Sequence, residues 1–273
     1  MKANWLQGML LLLLLGPAAC SPLKEQAEAD RSRFEEIQAK AEMGDAEAQY
    51  NLGLCYERGE GVTGDPIEMV NWYRRAAEQG FAAAQFDLGQ CYDSGAGVSK
   101  NAVEALKWYR KAAEQGHATA QYNVGCCYAS GEGVAKDVTE AVKWLRKAAE
   151  QGLGEAQCNL GVCYLDGEGV AKDAAEAVKW YRKAAEQGVA NAQCNLAVCY
   201  RDGMGVAKDL VEACKWFSLA SAQGDKGAKR ELLTIKAKMS KEQIGEAQRL
   251  AREFEPHKTL ELFAPPLAQP PKP

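Results

Sequence analysis

Proline is nearly absent from the body of this 273-residue chain: of nine, only Pro66 lies outside the first 22 and the last 18 residues. Interior proline removes a helical hydrogen bond and clashes with the preceding turn, so the middle of the chain is free to be helical. Histidine is scarcer still. His117 and His257 are the only two, which leaves little for a histidine-based acid, base or metal site, and both are expected to be solvated surface residues. Basic blocks are missing: 33 Lys and Arg stand against 37 Asp and Glu, a net charge of -4, so nucleic acid is not an expected partner. Long apolar runs are missing as well. What remains, 47% hydrophobic and 26% charged residues, excludes collagen, a disordered chain and a multispan membrane protein.

The N-terminus reads as an address. Lys2 is followed by the apolar run Met9 to Leu15 and by Gly16-Pro17-Ala18-Ala19-Cys20. The run is too short for a comfortable permanent span, and small residues before Cys20 resemble a bacterial lipobox, although Pro17 stands where Leu is usual. Residues 1–19 are therefore expected to be a signal peptide and Cys20 the lipidated residue, with plain secretion or an uncleaved anchor as alternatives. Ser21 after Cys20, in place of an inner-membrane-retaining Asp, points to the outer membrane. Loss of 1–19 removes one Lys and no acid, giving 32 minus 37, or -5.

The middle of the chain is a repeat. Trp72, Trp108, Trp144, Trp180 and Trp216 are 36 apart, as are Tyr56, Tyr92, Tyr128, Tyr164 and Tyr200, and Gly80, Gly116, Gly152, Gly188 and Gly224. Five units follow: 45–80, 81–116, 117–152, 153–188 and 189–224. In each, a helix A with apolar residues at helical spacing (Ala48, Leu52, Cys55, Tyr56) is broken by a GxGV loop such as Gly59-Glu60-Gly61-Val62. Helix B then opens with Asp65-x-x-Glu68, Asn101-x-x-Glu104, Asp137-x-x-Glu140, Asp173-x-x-Glu176 or Asp209-x-x-Glu212, a capping-box pattern, and ends at a glycine such as Gly80. Gly53, Gly89, Gly125 and Gly161 lie inside helix A, where glycine costs about 1 kcal/mol relative to alanine; close approach of helix B is the expected compensation, and Ala197 fits the same need. Phe34, Ile37 and Ala41 place a capping half-unit over roughly 24–44. Capping helices are expected over 225–254, with Ser240-x-x-Gln243 opening the last. The proline-rich segment 255–273 reads as a flexible tail. A hairpin cannot bury its apolar side alone, so the units must stack into a solenoid.

The pattern A-x-x-x-L-G-x-x-Y-x-x-G-x-G-V-x-x-D-x-x-E-A-x-x-W-Y-x-K-A-A-E-Q-G, five times over 45–224, resembles the Sel1-like repeat, a relative of the 34-residue tetratricopeptide repeat. The resemblance implies an all-α fold, a right-handed α/α superhelix with helix A lining the concave face, and the role of an adaptor assembling other proteins, bacterial envelope proteins among them. Cysteine-rich relatives carry their cysteines at the end of helix B and the start of the next helix A, where this chain has Ala77 and Ala84, which weakens transfer of their disulfides or of the β-lactam hydrolysis proposed for them. Ser21-x-x-Lys24 spells the first element of that serine chemistry, but SDN and KTG are absent and the match is taken as chance. No catalytic residue, metal site or cofactor is expected.

Cys55, Cys91, Cys127, Cys163 and Cys199 share one repeat position, and Cys158 and Cys194 another. Equivalent positions in packed helices lie about 9–10 Å apart, beyond the roughly 7 Å limit for a disulfide, so a ladder of bridges is not expected and the thiols read as small apolar packing groups. Cys199 and Cys214 are the one pair whose placement about a loop suggests a bridge.

Positions that differ between units are where surface chemistry can reside. On helix A the stripe turned away from Leu52 and Tyr56 includes Asn51 and Leu54, Asp87 and Gln90, Asn123 and Cys126, Asn159 and Val162, and Asn195 and Val198. A column of amides could hydrogen-bond an extended peptide beside apolar contacts; alternatively the amides satisfy neighbouring helices or water. The Trp column is expected to fill the gap between successive B helices. The functional expectation is a non-catalytic envelope adaptor, monomeric and touching the membrane only through its lipid, that binds a protein or peptide on helix A. The alternative is a small-molecule or peptidoglycan-fragment binder with weak β-lactamase-like hydrolysis.

Overall fold

The computed structural model describes residues 17–256, and among them are thirteen helices and no strand. They are α1 (Pro17–Glu42), α2 (Ala46–Arg58), α3 (Pro66–Glu78), α4 (Ala82–Ser94), α5 (Ala102–Glu114), α6 (Ala118–Ser130), α7 (Val138–Glu150), α8 (Gly154–Asp166), α9 (Ala174–Glu186), α10 (Ala190–Asp202), α11 (Leu210–Ala222), α12 (Lys226–Lys236) and α13 (Lys241–Arg252). The fold is all-α, built of consecutive helix hairpins. Two compact units divide at Asn101 and Ala102. In the first, α1 to α4 pack each on the next; in the second, α5 to α12 do the same and α13 lies against α11. The expected leader and tail fall mostly outside the described residues, as do His257 and the side chains of Cys20, Ser21 and Lys24. Helix α1 begins at Pro17, seven residues before the expected 24–44, because proline suits the first turn of a helix.

Each hairpin follows from local chemistry. Helix A ends on a glycine in the left-handed region, Gly59 at φ 71° and Gly131 at φ 82°, whose N–H donates to the Cys55 and Cys127 carbonyls. Helix B starts on an aspartate cap: Asp65 Oδ1 accepts from the N–H groups of Ile67 and Glu68, and Asp137 from those of Thr139 and Glu140. The reciprocal half of the box is replaced by ion pairs. Glu140 and Glu176 reach forward to Lys143 and Lys179, 2.8 Å in both cases; the two-sided box forms at Ser240 and Gln243.

The helix A glycines are set by packing. A Cβ on Gly53 would stand 2.5 Å from the Tyr73 ring, and one on Gly161 2.6 Å from the Tyr181 ring, so helix B presses on backbone that carries no side chain. Arginines stitch repeats together: Arg74 donates to the Tyr92 hydroxyl at 3.2 Å, Arg146 to Tyr164 at 2.8 Å and Arg182 to Tyr200 at 2.7 Å. The tryptophans are buried, as a structural column requires, and each carries a cation over its ring; the nearest are Lys111 on Trp108 (3.8 Å) and Lys147 on Trp144 (3.9 Å).

A buried glutamine in every helix A completes the frame. Gln49, Gln85, Gln121, Gln157 and Gln193 donate through Nε2 to the carbonyls of Ala41, Ala77, Ala113, Ala149 and Ala185 at 3.0–3.2 Å. These carbonyls lie in the last turn of the preceding helix, where each also accepts from the turn glycine N–H three residues on, at 3.0–3.1 Å, so the glutamine adds a second donor. The free Oε1 of Gln49, Gln121, Gln157 and Gln193 accepts from Gln79, Gln151, Gln187 and Gln223 at 2.7–2.9 Å. At the C-terminus, Phe254 covers the last tryptophan, with its ring edge-on to Trp216 at 5.3 Å.

Candidate functional site

In the first unit α2 presents Asn51 and Leu54, both half-buried, and α4 presents Asp87, half-buried, and Gln90, exposed. Asp87 is tied to the preceding repeat: the Tyr50 hydroxyl donates to its Oδ2 at 2.9 Å. In the second unit the same offset recurs. Asn159 Nδ2 donates to the Tyr122 hydroxyl at 3.3 Å, and Asn195 Nδ2 lies 3.9 Å from Cys158 Sγ. Cys126 shares a hydrogen bond with Tyr122. Two amides of the column therefore link neighbouring repeats, whereas Asn51 and Asn123 are half-exposed and make no side-chain hydrogen bond among the described residues. Val162 is exposed and Val198 half-buried.

The first unit also contains a cavity of about 510 Å³ between α2, α3 and α4. Its walls include Tyr56, Met69, Tyr73 and Cys91, with Glu57, Asp65, Asp87, Gln90 and Ser94 as polar groups. The Tyr73 hydroxyl donates to Glu57 Oε2 at 3.0 Å, and its ring stacks on Tyr50 at 5.6 Å. Burial pushes the Asp87 carboxyl up to about 6; the Tyr50 hydrogen bond opposes this and the Glu57 charge adds to it. Burial raises the Tyr50 and Tyr73 phenols far above their usual range, and nearby carboxylates raise both further. Of the cavity's polar groups, Asp87 and Gln90 belong to the expected stripe. Glu57 and the two tyrosines were missed. The available signal was that Asp87 stands where the other units have Asn51, Asn123, Asn159 and Asn195, and Glu57 where they have Asp93, Ala129, Leu165 and Arg201.

The nine described cysteines are free thiols. Cys199 and Cys214, the pair considered for a bridge, are both fully buried and unbridged. Burial raises every thiol for which a shift is resolved, Cys91 to about 12 and Cys158 and Cys199 to about 11. They are therefore protonated at neutral pH, inert as nucleophiles. His117 corrects an expectation: it is not solvated but 7% exposed. It occupies the N-cap slot of α6 that Phe81, Leu153 and Val189 fill in α4, α8 and α10, a slot that faces the packed interior. Its Nδ1 accepts from the Ala120 N–H at 3.2 Å, and burial lowers its pKa.

Residues 46–81, 82–117, 118–153, 154–189 and 190–225 each match the Sel1 repeat. The chain belongs to the Sel1 repeat family. Among solved structures it is similar to c5321, a protective antigen of uropathogenic Escherichia coli displaying an SLR fold, at 39% identity and TM-score 0.75, covering 81% of this chain and 48% of that one. It thus spans about half the length of that relative. A Sel1 repeat protein from Oxalobacter formigenes is 34% identical with TM-score 0.72, over 89% of this chain and 98% of that one. No curated protein matches the chain significantly. Sel1 repeat proteins generally act as protein-interaction scaffolds, and the repeat fold is typically non-catalytic. Within this Sel1 repeat protein, the glutamine, glycine and tryptophan columns belong to the scaffold, and the stripe and the cavity hold the residues that the repeat does not dictate.

Proposed function

We propose that this Sel1 repeat protein is a non-catalytic adaptor of the bacterial cell envelope, which binds a partner protein or peptide on the outward stripe of its A helices. The observation that carries the reading is a half-exposed amide on the stripe of each compact unit, Asn51 in the first and Asn123 in the second, with no side-chain hydrogen bond among the described residues. They lie on helices whose packing is supplied by other residues, and Leu54, Val162 and Val198 on the same stripe add apolar contact. Extended peptides are recognised in this way, with amides meeting the main chain and apolar side chains beside them. Asn159 and Asn195, engaged with their neighbours, set the spacing of the stripe. The envelope location rests on the leader-like start, the lipobox-like segment ending at Cys20, and the bacterial source of the similar structures. No helix among the described residues is long and apolar enough to cross a membrane, in keeping with attachment through a lipid at Cys20.

Capture from crosslinked envelopes, compared by mass spectrometry, tests the proposal. The chain carrying Asn51→Lys and Asn123→Lys should keep its helical circular dichroism and lose the partner that the unaltered chain retains. Identical capture profiles would remove the stripe as the working surface.

A further inference from the structure

The cavity of the first unit contains a charge that the scaffold does not ask for. At the repeat position of Asp87 four of the five units carry asparagine, and asparagine supplies the link between repeats at Asn159 and Asn195. A carboxylate there is the costlier choice, since burial disfavours its ionised form, and here burial raises the pKa of Asp87 to about 6. The cost is compounded by Glu57 on the same cavity, at a position where the later repeats carry Asp93, Ala129, Leu165 and Arg201. A group held against its preference in a concave site is where a ligand is expected to restore the balance.

The groups around Asp87 define what that ligand must be. From α2 it meets Tyr50, Glu57 and Arg58; from α3 the Tyr73 side chain lines the same cavity; on its own helix Cys91 adjoins it. Each carboxylate has one oxygen bonded to a tyrosine, Oδ2 of Asp87 to Tyr50 and Oε2 of Glu57 to Tyr73, so one oxygen of each is open to a further donor. Arg58 does not fill this role: it pairs with Glu60 at 3.8 Å and is 44% exposed. The remaining walls join the apolar and aromatic Tyr56, Met69, Tyr73 and Cys91 to the polar Asp65, Gln90 and Ser94; Asp65 caps α3 through its Oδ1. A cation on a long apolar stem satisfies both halves of such a site, with carboxylates at the head, apolar contact along the stem and aromatic faces favourable to positive charge. A volume of about 510 Å³ exceeds one side chain and lies within the range of ordinary ligand pockets, which suits a side chain together with its adjoining backbone.

We infer that this cavity is a specificity pocket for an arginine or lysine side chain of the partner polypeptide, received between Asp87 and Glu57. This deepens the docking reading and rests on it: the stripe would hold the partner's main chain, and the pocket would select a basic residue within it. Protonation of Asp87 removes half of the recognition, so binding weakens as the pH falls through about 6.

The test uses the full chain with carbon-labelled carboxylates and three probes: N-acetyl-arginine methylamide, its glutamine counterpart, and spermidine as a free amine. The arginine probe should bind saturably and draw the Asp87 titration midpoint below 6, because a neighbouring cation favours the carboxylate. The glutamine probe should do neither. Asp87→Asn, a substitution the other units already carry, should weaken the arginine probe at least about tenfold, or 1.4 kcal/mol, with unchanged circular dichroism. Lowering the pH from about 7.5 to about 5 should weaken it in the unaltered chain alone. No displacement of the Asp87 resonance by the arginine probe, or equal binding by Asp87→Asn, overturns the pocket. Tighter binding of spermidine than of the arginine probe overturns the polypeptide as its source in favour of a free amine. Partner capture separates the two levels: loss with Asn51→Lys and Asn123→Lys but full retention with Asp87→Asn would leave the stripe standing and remove the pocket.

Discussion

A single side chain in this repeat frame is set either by the repeat or by its own surroundings, and the two histidine and carboxylate exceptions illustrate the difference. His117 occupies an N-cap slot that is apolar in α4, α8 and α10 and aspartate in α2 and α12, and it caps α6 through a lone pair that exists only on the neutral ring. Its pKa lies below the ordinary 6.5, so the folded chain binds fewer protons than the unfolded one in that range. The stability this contributes is fully present above pH 6.5 and is lost as the pH falls below it toward the folded pKa. His117→Leu, the residue at the same slot of α8, should therefore unfold at a melting temperature that changes less than the unaltered chain's between about pH 7.5 and pH 5. At pH 7.5 it should lose at most about 1 kcal/mol, the value of a side-chain cap. Equal pH dependence in the two chains, followed by calorimetry, would mean that His117 titrates as in the unfolded state. Asp87 has the opposite sign: its folded pKa of about 6 exceeds the ordinary 3.8, so the fold loses stability as the pH rises through that window.

At the scale of the helix, the hairpins owe their starts and stops to caps, but their joints to glutamine. Each A helix reaches back with one buried amide to the last turn of the preceding helix, and the amides of Gln49, Gln121, Gln157 and Gln193 accept in turn from a second glutamine. Removing such a link takes one partner from a carbonyl that keeps its turn bond, since the Ala149 oxygen still accepts from the Gly152 N–H at 3.0 Å, and one from a half-buried amide. Gln157→Leu should lower the urea-unfolding free energy by about 1–2 kcal/mol, because two hydrogen bonds of ordinary net worth are lost together. Gln187→Leu, at a half-buried position, should cost less. A smaller loss at Gln157 than at Gln187 would contradict the accounting. The five glutamines recur in the sequence as plainly as the tryptophans, yet their partners do not follow from periodicity: the acceptor is a backbone carbonyl eight residues back, across a turn.

For the molecule as a whole, stability in stacked repeats is a sum of unit and neighbour terms, so a local defect should remain local. Gly161→Ala places a methyl 2.6 Å from the Tyr181 ring, an overpacking expected to cost about 1–3 kcal/mol. Hydrogen exchange should then show lost protection centred on α8 and α9, decaying into α7 and α10, with α1 to α3 of the other compact unit unchanged. Uniform loss across all thirteen helices would indicate a single cooperative block instead.

What the sequence determined by itself was everything carried by short-range chemistry. The 36-residue period, the helix faces, the glycine stops and the aspartate caps at Asp65, Asp137, Asp173 and Asp209 act within a few residues, and the family follows from their fivefold recurrence. The tertiary structure alone decided which stripe residues are spent on neighbours. The contacts of Tyr50 with Asp87 and of Tyr122 with Asn159 span 37 residues, one repeat plus one, and so depend on how far adjacent A helices are offset rather than on either helix alone. The same offset engages Asn159 and Asn195 and brings Asp87 beside Tyr50. A one-dimensional pattern can mark such residues as unlike their equivalents, but only packing determines whether the difference faces solvent, a neighbour or a pocket.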